Sequence, residues 1–279
     1  MDYNALVGLM GFVFMLLLFF MGAPIFVSML VSSFVGLWAI GGWTMVQTQF
    51  TSAPLSLAAS YTYAVLPLFM LVGVMAGETG IAEGAYLSLK NWMGRRRGGL
   101  LNATIVANTV FGACSAVPTA GNIVFTKIAL PELDKAGYDK SNALACITGA
   151  GCLASLIPPS IAIVNFSVLN DLSISRALSA GVCAGVITTI VMIIMVKIVS
   201  IAKPSTVPAP SAERVPWKVK LSGLKLLVPI VALFAIIMGG TFTGAFTATV
   251  GGAVAAAVIT IYALAKKMPI KKGLTVIRN

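Results

Sequence analysis

Two stretches of this sequence hold polar chemistry inside oily surroundings. Residues 112–121 read GACSAVPTAG, a run of small and hydroxyl residues between the apolar stretches LLNATIVANTVF and NIVFTKIAL. Residues 149–171 read GAGCLASLIPPSIAIVNFSVLND, with Pro158 and Pro159 near the middle of a long apolar run. Each proline removes a backbone N–H and disrupts the preceding turn. Carbonyls from Ala154 to Ile157 therefore lose their helical partners. In lipid such groups need partners, and cations are suitable ones. A simple proline kink is the other reading, although Pro-Pro after small residues also occurs in unwound helices of transporters.

Other chemistries are poorly supplied. The chain has no histidine, which removes His-dependent triads, zinc sites and proton relays. It has no paired intramembrane acids and no nucleophile–base arrangement, so an enzyme and a transition-metal site are not expected. Cys114, Cys146, Cys152 and Cys183 lie in apolar surroundings without a Cys-x-x-Cys pair and read as buried small hydrophobes. No cofactor is expected beyond a coupling cation.

The elements that must position the two stretches are membrane helices. Hydrophobic residues make up 58% of the 279 residues and charged residues 10%. From Tyr3 to Gly77 there is no Asp, Glu, Lys or Arg, a run that no soluble surface tolerates. The first apolar segment lacks a basic leader, carries Asp2 and runs into a second apolar segment, so it reads as a retained helix rather than a signal peptide. A span needs about 20 apolar residues. The candidates are 4–22, 24–42, 61–77, 141–170, 177–200, 224–242 and 246–265, about seven transmembrane helices of an all-α integral membrane protein. Residues 42–60 are mixed in polarity and are expected along the membrane interface. Residues 203–220, rich in Pro, Ser and Lys, are expected as a cytoplasmic loop.

Segment 99–131 is different. Its halves are each too short to span, and the second contains Lys127. Together they predict a re-entrant helical hairpin that turns at 114–121, with polar residues because the turn is a site tip. Charge supports the same topology. With the N-terminus outside, the clusters Lys90/Arg95–Arg97, Lys197–Lys225 and Lys266–Lys272 all face the cytoplasm, as the positive-inside rule asks. That requires 99–131 to return the chain to its starting side. The net charge of +11 is thereby assigned to topology and contact with the anionic lipid bilayer rather than to nucleic acid. Gly181-x-x-x-Gly185 and Gly240-x-x-x-Gly244 read as helix-packing positions. Thr241, Thr243, Thr247 and Thr249 read as hydroxyls bonding their own helix. The expected division is 1–98 (N-terminal helices with interfacial segments), 99–202 (hairpin, broken helix and following helix), the loop 203–220, and 221–279 (two further helices and a basic tail).

Several stretches resemble a known family. PLFMLVGVMAGETGIAEG (67–84), RGGLLNATIVANTVFGACS (97–115), KIALPELDKAGYDKSNALA (127–145), LIPPSIAIV (156–164) and GGTFTGAFTATVGGAVAAAV (239–258) are similar, in order and spacing, to the large permease subunit of tripartite ATP-independent periplasmic (TRAP) transporters. The resemblance covers essentially the whole chain. It implies a sodium-coupled elevator importer of organic acids, with two hairpins in inverted repeats, in a bacterial or archaeal inner membrane. It implies as partners a small membrane subunit and a periplasmic substrate-binding protein. Carried over by position, the sodium ligands would be Ser115 and Val117 at the tip, then Ala154, Ile157 and Pro159 through backbone carbonyls. Pro118, Thr119, Asn122, Ser160 and Asn165 flank them and are the candidates to lie near the substrate.

This sequence departs from the family pattern at the tip, where SAVP replaces a Gly-Ser or Ser-Gly-Ser, and at TATVGG, where Val250 stands in place of an acid. The family's second repeat would follow Asn279, so the chain reads as an incomplete half that a second chain could complete. The alternatives are a non-transporting membrane scaffold or remnant subunit, and another sodium/carboxylate transporter of hairpin architecture.

Overall fold

The computed structural model describes residues 3–208 and 215–266, with the side chain of Thr62 left aside. Every regular element among them is helical. By compactness the chain divides once, into Met1–Tyr63 and Ala64–Asn279.

The first unit is α1 (Tyr3–Phe20) and α2 (Ile25–Ala59), joined by a turn through Gly22 and Pro24. They are tied by Ser32 Oγ donating to Gly11 O at 2.5 Å and Tyr3 Oη donating to Ala39 O at 3.0 Å. Gly42, at φ 65° and ψ −164°, interrupts α2. The interruption is a reversal. Sixteen residues of straight helix would separate Phe34 from Phe50 by about 24 Å, yet their ring centroids lie 5.6 Å apart. Segment 42–60 is thus a separate helical arm folded back on the first.

In the second unit α3 (Val65–Glu78) and α4 (Ile81–Met93) meet at 61°, where Gly80 adopts φ 75°. The expected span 61–77 therefore becomes a 3₁₀ turn at Tyr61–Ala64 and the first arm of a bent pair. Val65, Phe69, Val72 and Ala76, spaced by three and four, make the buried stripe of α3. α5 (Gly99–Ser115) is buried on nearly all sides, packed by α3, α4, α8, α10 and α12. It is the axis of the unit. α3 and α4 pack against this axis.

α6 (Pro118–Ile128) returns beside α5 and is followed by the short α7 (Leu130–Lys135). The expected span 141–170 is broken, as its Pro-Pro pair implied. It is α8 (Lys140–Cys152), a 3₁₀ turn at Leu153–Ser155, and α9 (Ile161–Leu169). The remaining helices are α10 (Ile174–Ala202), α11 (Trp217–Leu224), α12 (Val228–Phe242) and α13 (Ala248–Ala265). α11 starts inside the expected loop 203–220, where Pro216, at φ −58° and ψ 145°, is its N-cap. The basic tail beyond Lys266 lies outside the described residues.

Among the described residues five stretches are long and apolar enough to cross a membrane, and the bent α3–α4 pair would make six. Most of their surface faces outward: α10 exposes Ile187, Ile190, Val191, Ile194 and Met195. A helix apolar on its outer face belongs in lipid, and the chain is a multi-pass membrane protein.

The small-residue motifs separate. Gly181 and Gly185 pack α10 against the broken segment: a Cβ on Gly181 would stand 2.5 Å from Leu156 O, and one on Gly185 would enter the Ile157 side chain. Gly240 and Gly244 do not form a helix-packing pair. Gly240 receives the ring of Phe246 from the next turn, and Gly244 is itself the turn residue at φ 72°. Thr241 and Thr243 bond carbonyls of their own helix, and Thr247 caps α13. Cys114 is buried as expected. Cys152 and Cys183 are exposed, because their positions fall on outward helix faces.

Candidate functional site

The turn between α5 and α6 is two residues long, shorter than the expected 114–121. Its geometry follows from its sequence. Pro118 disfavours helical backbone at the preceding residue, and Val117 is extended at φ −124°, ψ 115°. Proline itself suits the first position of α6. Ala116 absorbs the reversal in the left-handed region at φ 54°, its N–H donating to Gly112 O at 3.2 Å. Glycine usually fills that position. Ser115 is fully buried, and its Oγ reaches only Val117 O, at 3.5 Å, the outer limit of a hydrogen bond. Its oxygen is nearly uncommitted.

The second break is built differently. After α8 the chain tightens into a 3₁₀ turn, with Leu156 and Ile157 N–H both donating to Leu153 O at 2.9 and 2.8 Å. Pro158 and Pro159 follow, joined by a cis peptide bond. Ser160 then caps α9, its Oγ accepting from Ile163 N at 3.2 Å and donating to Ser155 O at 2.5 Å. Ser160 is a buried latch across the break, so its hydroxyl is already committed. The carbonyls of Ala154, Leu156, Ile157, Pro158 and Pro159 accept no hydrogen bond from the described residues. The loss of partners expected at Ala154–Ile157 is realised, except that Ser160 satisfies Ser155.

The two breaks lie against each other. A Cβ on Gly112 would stand 3.0 Å from Ala154 Cβ, and Ala113, Leu153 and Ile157 form one apolar cluster. α6 packs on α8, where Gly151 lies under the Asn122 side chain. Of the expected residues, Ser115, Ala154, Ile157, Pro159 and Ser160 are buried, Val117 and Pro118 half-buried, and Thr119 exposed. Asn165 lies on α9, and its Oδ1, like that of Asn122, is buried without a partner among the described residues.

One residue escaped the sequence reading. Asn108 is fully buried on α5, its Nδ2 donates to Ile147 O of α8 at 3.0 Å, and its Oδ1 faces Gly121 of α6. It joins both hairpin arms to the helix before the second break. An Asn in the apolar stretch LLNATIVANTVF was the available signal.

Chemically, the C-terminal ends at Ser115 and after Leu153 present carbonyls, the negative end of the helix dipole. The N-terminal ends at Pro118 and Ile161 present amides, the positive end. All the exposed oxygens are neutral. Such a set suits a weakly charged hard cation beside a small anion. Among the described residues no group of three or more His, Cys, Asp and Glu could hold a metal ion.

Comparison with known proteins bears on this arrangement. The DctM protein of the C4-dicarboxylate TRAP transporter of Vibrio cholerae, a large permease protein, is 32% identical over 248 residues, 88% of this chain and 53% of its own length. The large permease protein UehC of the ectoine/5-hydroxyectoine TRAP transporter of Ruegeria pomeroyi is 29% identical over 91% of this chain and 57% of its own. The sialic acid TRAP transporter permease protein SiaT of Haemophilus influenzae is 27% identical over 87% and 38%. The chain thus spans about half the length, or less, of these curated relatives. Residues 12–278, both breaks included, match the family described as tripartite ATP-independent periplasmic transporter, DctM component, and the chain belongs to that family of large TRAP permease subunits.

Proposed function

We propose that this chain is the membrane permease component of a sodium-coupled, binding-protein-dependent importer of organic acids. The observation that carries the reading is the contact between a helix break whose carbonyls lack partners and a hairpin turn whose Ser115 hydroxyl is nearly uncommitted. A bare buried carbonyl costs several kcal/mol in an apolar setting, and a sodium ion offsets that cost. Ser115, Val117, Ala154, Ile157 and Pro159 supply its oxygens. The amide ends of α6 and α9, with Asn122 and Asn165, face the carboxylate that relatives named for C4-dicarboxylates, ectoine and sialic acid have in common. The α5–α6 hairpin enters the membrane from the cytoplasm, the N-terminus lies outside, and Arg95–Arg97 are cytoplasmic. A small membrane subunit and a periplasmic binding protein complete the importer.

Sodium binding is read directly from stability. A ligand at 100 times its Kd adds about 2.7 kcal/mol, so the purified chain in detergent should melt higher in NaCl than in equimolar KCl or choline chloride. Equal melting in all three salts would remove the sodium site. Topology is read by labelling a cysteine at position 118 on a Cys-free background. Labelling only from the periplasmic side, in every state, would exclude the cytoplasm-facing hairpin.

A further inference from the structure

Away from the breaks, a cavity of about 480 Å³ opens where α4 ends, beside α7 and the start of α5. Its polar lining is Lys90, Asn91, Arg95, Glu132, Lys135 and Tyr138. Lys90 is ion-paired with Glu132. Arg95 and Lys135 have no carboxylate partner among the described residues, so the described lining carries an excess of positive charge. Leu100 also lines it, in the first turn of α5, a helix with no side-chain N-cap; that end adds positive potential. Burial pushes the Tyr138 phenol above its usual pKa, so it stays a neutral O–H donor at physiological pH. Nearly every polar side chain of the described lining donates hydrogen bonds, and the one carboxylate among those residues, Glu132, is paired with Lys90.

A phosphate group is the complement of such a lining, because its oxygens accept only and its charge meets Arg and Lys. The surroundings select its source. On α4, Trp92 stacks edge-on against Trp217 with centroids 5.8 Å apart, and Lys220 Nζ lies 5.8 and 5.4 Å from the two ring centroids. Trp92 Nε1 donates to Lys220 O at 3.2 Å, fixing α11 to α4. Paired Trp beside Lys is the composition of the membrane–water boundary, which sets the end of α4 at headgroup depth. We propose that this cavity seats the phosphate of an anionic phospholipid headgroup and so ties α4, α5 and α7 to the lipid surface. The inference is independent of the sodium reading.

Native mass spectrometry of the full chain in mild detergent tests it, with phosphatidylglycerol, phosphatidylcholine and inorganic phosphate offered separately. Phosphatidylglycerol should be retained in preference to phosphatidylcholine. R95Q/K135Q should weaken that retention about thirtyfold, since each basic residue near a lipid surface contributes a factor of about five. R95K/K135R should bind within about threefold of the parent, as should K127Q/R176Q, which removes two charges outside the cavity and the basic clusters. Unchanged retention by R95Q/K135Q overturns the proposal. Inorganic phosphate bound through the same pair, without phosphatidylglycerol, overturns the lipid assignment in favour of a soluble phosphate.

Discussion

The two breaks solve one problem by different means. Both interrupt a helix inside an apolar body, and both leave carbonyls without helical partners. The break after α8 holds itself together, because Ser160 spans it by capping α9 and satisfying Ser155. The α5–α6 turn has no such device. Its α6 end has no side-chain cap, its Ser115 hydroxyl makes one bond at the distance limit, and a non-glycine residue sits in the left-handed region. What holds it is the neighbourhood. Gly73 of α3 lets the Ser115 backbone approach so closely that a Cβ would stand 2.7 Å from Ser115 Cα. The first break is shaped by tertiary packing, the second by local hydrogen bonding.

Gly73→Ala should therefore have the largest effect. The obstructing atoms are backbone and cannot swing aside, which puts the overpacking cost near the top of its usual range, about 3 kcal/mol. Helix propensity returns about 1 kcal/mol, for a net loss of about 2. Gly112→Ala meets Ala154 Cβ at 3.0 Å, a milder contact, and should lose less than half as much. Denaturant titration in mixed micelles, followed by tryptophan fluorescence, compares the two. A Gly73→Ala protein as stable as its parent would mean that packing does not hold the turn.

The serines sharpen the contrast. Ser160→Ala removes a helix cap, worth about 1 kcal/mol, and strips Ser155 O of its partner, for a total of about 1.5 kcal/mol. Ser115→Ala gives up only a 3.5 Å contact and should change stability by less than about 0.5 kcal/mol. Its effect should fall on sodium instead, reducing the melting shift between NaCl and KCl. Equal destabilisation by both substitutions, with the sodium shift intact, would erase the distinction between latch and ligand.

Much of this was legible because it is local. Polar residues in a short apolar pair gave a hairpin over 99–131, and the structure has α5 and α6 meeting within it. Pro158 and Pro159 marked the second break and the carbonyls it frees. Family and broad helical architecture were legible from stretches such as GYDKSNALA and LIPPS. What stayed hidden depends on partners distant in sequence. Nothing near Gly73 announces that Ser115, 42 residues on, will press against it. Asn108 reads as one more small polar residue until Ile147 O is placed beside it. Gly42 marked a boundary but not that the chain doubles back to bring Phe50 onto Phe34.

The smallest effect tests the left-handed residue itself. Ala116 sits at φ 54° and is 2% exposed. A non-glycine residue there costs about 1–2 kcal/mol in steric strain, which Ala116→Gly would relieve. Glycine also widens the unfolded ensemble, at a cost of about 0.4–1 kcal/mol, and deleting a buried methyl loses about 0.8 kcal/mol. The contributions nearly cancel, so Ala116→Gly should lie within about 0.5 kcal/mol of the parent. The same titration that measures Gly73→Ala measures this one. A gain above about 1 kcal/mol would show that the turn stores strain its neighbours impose, extending the contrast with the self-latched break. A loss of that size would mean that the Ala116 methyl is part of the packing that holds the hairpin tip, and that the tip is wedged in place from inside as well as pressed from α3.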